Sequence, residues 1–316
     1  MTLFEDDALD LPKLAEQLRS GDAATRRLAL RELLDCGPPG GEALALVATA
    51  DPDDSVREAA VQALDAYGGV HVVRGLIAAL SDCIQPVREA AARVLAAKAD
   101  TDGADLLLDA AGHADPFVRA SAFRALVERR WPQALPAATA ALSDPSSDVR
   151  GAAASVLGWL RDARSVPVLI GATRDSAAEV RRVAVGALVY SNEPAAADAV
   201  LAALSDPDWQ VRETAAEAIG KLRYRNAEPA LIAAMDDPFW QVRVKAAASL
   251  GTIGAVAAIP TLGTALTHAI SNVRKEAAAA LGTIGDASAR PLLLPFTNDA
   301  DPDVRKAVRW ALSRCS

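Results

Sequence analysis

One arginine sets the layout of the chain. It stands at 26, 57, 88, 119, 150, 181, 212, 243, 274 and 305, each 31 residues after the last, without insertion. Val precedes it in nine of the ten copies, with Thr25 in the first. Three residues after it comes Ala, or Val308 in the last copy, and seven after it an aliphatic residue, from Leu33 to Leu312. A strict period of this kind predicts an array of one small unit. The array is expected to form a single domain over residues 10–316. The acidic segment 1–9 falls outside it and reads as a tail or a partial cap.

The unit reads as two helices. Positions −1, +3 and +7 around the Arg form one apolar stripe at helical spacing. Asp or Ser often stands at −4, as in Asp22, Asp53, Asp115, Ser146, Asp208 and Asp301, where a helix N-cap belongs. Pro at −14 in Pro12, Pro136, Pro167, Pro229, Pro260 and Pro291 suits the first turn of a preceding helix. Gly251, Gly254, Gly282 and Gly285 read as helix ends. Ala supplies much of the 51% apolar content and favours helix. A single hairpin of this length cannot bury its own apolar faces, but stacked hairpins share a continuous core. The expected fold is all-α: a right-handed α-solenoid of ten 31-residue helical hairpins, roughly 80–100 Å long at 8–10 Å per helix.

The run Asp237-Pro-Phe-Trp-Gln-Val-Arg-Val-Lys-Ala-Ala-Ala-Ser-Leu-Gly-Thr-Ile-Gly resembles HEAT repeats, most closely the 31-residue kind of phycobilisome lyases. The resemblance covers residue 10 or so to the end. It implies that the second helix of each unit lines a concave groove. It also implies that Asp at −6 and the repeated Arg form a ladder between the turns of adjacent repeats. The residues concerned are Asp51, Arg57, Asp82, Arg88, Asp144, Arg150, Asp175, Arg181, Asp206, Arg212, Asp237, Arg243, Asp299 and Arg305. Within this ladder Arg181 is assigned Asp175 as its partner. An Arg fork satisfies a carboxylate and turn carbonyls together; the competing reading is a phosphate-binding track. Ser20, His113 and His268 interrupt the Asp positions.

Composition excludes several classes. The net charge is −8, with 41 acidic and 33 basic residues, which argues against a nucleic-acid backbone as the main partner. No apolar run is long enough to span a membrane. The N-terminus has no signal-peptide pattern. Cys36, Cys83 and Cys315 form no framework or CxxC pair, so a reducing, cytoplasmic setting is expected. His71, His113 and His268 have no metal-ligand spacing, and the His-Glu pairs of HEAT-like deoxyhypusine hydroxylases are missing. No phosphate-cradling Gly loop or nucleophile–base set can be read, so no catalytic residue, metal or cofactor is expected.

Positions −3, +1, +5 and +9 point away from the buried stripe at 100° per residue. In repeats one to four they carry mixed charges: Arg27, Arg31, Asp54, Glu58, Glu89, Arg93, Arg124 and Glu128. From repeat five onward they carry Trp159, Tyr190, Trp209, Trp240 and Trp310, with Gly151, Ser155, Gly186 and Ala248 between. These rings either cover neighbouring helices or form a recognition surface. On the second reading Trp209 and Trp240 are the anchors, Tyr190 and Trp159 continue their row, and Glu213 and Glu217 favour a partner with basic residues. The expected function is a non-enzymatic scaffold or assembly factor that holds another protein or peptide. The family resemblance implies as the alternative a bilin lyase subunit or tetrapyrrole chaperone. A HEAT-like DNA-repair glycosylase fits the aromatic residues but not the net charge.

Overall fold

The computed structural model describes residues 11–98, 103–127, 129–191 and 193–315; the acidic segment 1–9 and Glu128 lie outside the described residues. Among these residues every regular element is helical, α-helices alternating with short 3-10 turns, and there is no strand. The chain falls into two compact units, 1–160 and 161–316. The first contains repeats one to five and the second repeats six to ten. Each repeat is a short helix followed by a longer one: Glu228–Ala234 then Trp240–Ile253 in repeat eight, Ile259–Ala265 then Ser271–Ile284 in repeat nine.

The sequence sets these boundaries by capping. Asp22, Asp53, Asp115, Asp208 and Asp301 each accept backbone N–H groups from the first turn of the helix that follows. The residue at −6 caps the turn before it. Asp237 accepts the Phe239 N–H at 2.8 Å, and His268 Nδ1 accepts the Ile270 N–H at 3.0 Å. This matters most where the N-cap residue has no polar side chain, as at Phe239 and Ile270.

At the other end, Gly37, Gly254 and Gly285 stop their helices in the left-handed conformation. Arg130, Arg161 and Arg223 occupy the equivalent position at φ 46°, 52° and 52°. This conformation costs a non-glycine residue roughly 1–2 kcal/mol.

The −1, +3, +7 stripe is the core. In repeat seven Val211, Ala215 and Ile219 are wholly buried. Position +8 brings the second helices of neighbouring repeats together. A Cβ on Gly251 would lie 2.9 Å from the Ala280 Cα, and one on Gly282 would lie 2.7 Å from the Ala311 Cα. At Gly220 the neighbour is Ser249, whose buried hydroxyl donates to the Ala216 carbonyl at 2.6 Å. Small residues here allow near backbone-to-backbone stacking, so the second helices of repeats seven to ten form one tightly packed layer.

Candidate protein-binding face of the second unit

The ladder holds each second helix in place. Arg212 Nε donates to Asp237 Oδ2 at 2.6 Å and Nη2 to Oδ1 at 3.1 Å, while Nη1 donates to the Asp206 carbonyl at 2.8 Å. Arg26, Arg57, Arg119, Arg181 and Arg274 use the same two-pronged contact, each with the Asp 25 residues on. The partner assigned to Arg181 is therefore corrected. Its carboxylate comes from Asp206, at 2.7 and 2.8 Å, and Asp175 supplies only its backbone carbonyl, at 2.9 Å. The reason is geometric: the carboxylate at −6 caps its own turn and faces the preceding repeat.

These rungs are largely shielded, with side chains 7–16% exposed at Arg119–Asp144, Arg181–Asp206, Arg212–Asp237 and Arg274–Asp299. The bonds from Arg57, Arg119 and Arg274 hold Asp82, Asp144 and Asp299 below the usual carboxylate range. In the first unit His113 replaces the Asp, and Arg88 instead reaches the N-cap Asp115 at 2.6 Å, with its guanidinium 4.6 Å from the Phe117 ring centre.

The aromatic residues divide between two edges rather than forming one row. Trp209 and Trp240 are the first residues of their helices, whereas Tyr190 lies in the turn that ends a second helix. Positions −3 and +9 are separated by roughly 18 Å along a helix at 1.5 Å per residue. At the first edge both tryptophans are half-buried. Trp209 stacks on Phe239, with centroids 5.3 Å apart and planes at 11°, and Arg212 lies 5.8 Å from the Phe239 ring centre. Phe239 is 41% exposed. Sorting residues by helical face misses it, because it stands at the capping position −4. The Phe239-Trp240 doublet is the sequence signal that could have found it.

At the second edge Tyr190 is 52% exposed, while Trp310, at +5 within the last helix and so between the two edges, is 46% exposed. Arg161 lies 4.2 Å from the Tyr190 ring centre. Trp310 covers Gly282, where a Cβ would come within 2.6 Å of its ring, so part of this ring packs over a neighbouring helix. In the first unit Trp159 is 39% exposed, with Arg130 5.4 Å from its ring centre.

The acidic pair is less available than the spacing implied. Glu217 is bridged by Lys221 at 2.6 Å and Lys245 at 2.7 Å, and both lysines draw its carboxyl below the usual range. Glu213 lies in the field of Arg182 and Lys245. Burial pushes the neighbouring Glu276 carboxyl up, against the opposing pull of Lys275 and Lys245. The charge on this face is therefore mixed and largely compensated internally. Among the described residues no group of three or more His, Cys, Asp and Glu side chains could hold a metal ion. No helix among them is long and apolar enough to cross a membrane.

Stacked helical hairpins with a turn ladder define an α-solenoid. HEAT repeats match residues 11–96, 73–139, 104–188, 169–231 and 228–313, and the chain belongs to the HEAT-repeat family. The match is to HEAT repeats as such and does not single out the phycobilisome-lyase kind.

No curated protein matches the chain significantly. Among solved structures, yeast importin-β (Kap95p) is similar with a TM-score of 0.66 and 17% identity, over 96% of this chain and 50% of that one. YibA of Escherichia coli gives 0.63 and 20%, over 80% and 95%. The karyopherin Kap121p, bound to the extreme C-terminus of the phosphatase Cdc14p, gives 0.62 and 15%, over 99% and 42%. The chain thus spans half or less of the two karyopherins, and these likenesses establish its fold.

Proposed function

We propose that the chain is a non-enzymatic, cytoplasmic scaffold that holds a segment of another protein against the second-helix face of its second unit. The observation that carries this reading is the Trp209–Phe239 stack. It places a flat apolar ledge, with Phe239 41% exposed, on helices that the ladder and the close +8 packing hold rigid. Rigid aromatic surface of this kind is a common anchor in protein recognition. The karyopherin solenoid bound to a protein C-terminus supports the same use of the fold. Because Glu217 is already bridged by two lysines, a preference for a basic partner rests on Glu213 alone.

The test compares proteins that co-purify with wild type and with Trp209→Ala/Phe239→Ala, quantified by mass spectrometry, alongside thermal melts. The double variant should lose about 2–4 kcal/mol of affinity for the physiological partner while melting close to wild type. A variant that keeps full affinity, or that unfolds, would show the rings to be packing elements.

A further inference from the structure

We infer that the interrupted rung between repeats eight and nine is a binding site for a carboxylate of an acidic protein segment, formed by Arg243 and His268. The second unit holds both an intact rung and this interrupted one. Two repeats earlier, Arg181 closes its fork on Asp206, and a hollow of about 400 Å³ beside that rung is lined by both side chains. The equivalent hollow in repeats eight and nine, about 420 Å³, is lined by Arg243 and His268. The same architecture is present, with an imidazole where the carboxylate stood.

The two histidine rungs are not equivalent. Beside His113, Arg88 recovers a carboxylate from Asp115 at position −4. Beside His268, position −4 is Ile270, so that route is closed. Arg243 turns its Nε back to the Asp237 carbonyl, and among the described residues no carboxylate comes within ion-pair distance of it. Its two Nη groups are left to donate from a half-buried side chain. His268 accepts the Ile270 N–H at Nδ1, so the neutral ring carries its proton on Nε2 and is a third donor.

The rest of the lining adds little competition. The Thr264 and Thr267 hydroxyls donate to the Pro260 and Thr264 carbonyls. Asp236 also borders the hollow. Its negative charge opposes a dianion, which favours a single carboxylate, whose two oxygens match the guanidinium fork, over a phosphate group.

This site lies apart from the aromatic ledge, and its test reads it directly. The probe is a C-terminally amidated Gly-Asp-Gly-Asp-Gly peptide with an uncharged BODIPY label, followed by anisotropy against the full chain, with the Asn counterpart, which carries no carboxylate, as control. Wild type should bind the Asp peptide at least about tenfold more tightly than the Asn peptide, the ratio expected for one charge-assisted contact. Arg243→Gln, and His268→Asp, which fills the fork from within, should each lose that preference. His268→Asp should also raise the melting temperature, which shows that the variant folds and has closed the rung. His113→Asp and Trp209→Ala/Phe239→Ala should bind the peptide as wild type does, so that failure of this site and of the ledge can be told apart. Absence of wild-type binding, undiminished binding by His268→Asp, or displacement by inorganic phosphate at lower concentration than by acetate would overturn the assignment.

Discussion

Arg181 and Arg182 are adjacent in sequence and have unequal roles. Arg181 is shielded and holds Asp206 with two bonds and the Asp175 carbonyl with a third. Arg182 pairs with Glu179 at 2.6 Å, with the two side chains 41% and 63% exposed. Arg181→Ala should cost about 1.5–3 kcal/mol, the range for losing hydrogen bonds to a charged group. Arg182→Ala should cost less than about 0.5 kcal/mol. Urea denaturation of both variants checks this, and equal midpoints would contradict it. The residues of the ladder were legible from their spacing, but their pairing was not. In a strict 31-residue period, six before one Arg and 25 after the previous one are the same position, so periodicity cannot assign the carboxylate to its own repeat or to its neighbour. Phe239 was missed for a related reason. Its ring is placed by a cap-position backbone rather than by the helical angle used to sort the other faces.

At the scale of the helix, position +8 decides how closely second helices approach. Gly251 should resist even a methyl group, because its Cβ would meet the Ala280 backbone at 2.9 Å. Gly251→Ala should therefore destabilise by about 1–3 kcal/mol, although alanine favours a helix interior. Gly171, where an added Cβ would meet nothing within 4 Å, is the control: Gly171→Ala should be neutral or stabilise by up to about 1 kcal/mol. Thermal melts should show a lowered midpoint for Gly251→Ala and an unchanged or raised one for Gly171→Ala. The helices themselves, their caps and their buried stripe could be read from the sequence. The separation of the aromatic residues into two edges could not be read from angular position alone, because a helical wheel discards the rise along the axis that parts Trp209 from Tyr190.

For the whole molecule, the ladder predicts a particular acid response. Asp82, Asp144 and Asp299 lie below the ordinary carboxylate range chiefly because of the bonds from Arg57, Arg119 and Arg274. A lowered folded-state value stabilises fully above the unfolded value, about 3.9 for Asp. That contribution is lost as pH falls through the folded values. Melting temperature should thus be flat from pH 8 to pH 5 as far as these groups decide it, and should fall below about pH 4. Asp82→Asn should flatten the acid limb, and an unchanged limb would remove Asp82 from the account.

The ladder also bears on how such a chain changes length. Arg181 reaches Asp206 across 25 residues, and Asp237 lies 31 beyond that Asp. Excision of residues 182–212 would therefore bring Asp237 into register with Arg181 and rejoin two second helices at equivalent positions. A duplication of the same span would add a turn with its latch already fitted. The array carries its own splice points, so ancestral copies of it could gain or lose whole units without inventing a new junction.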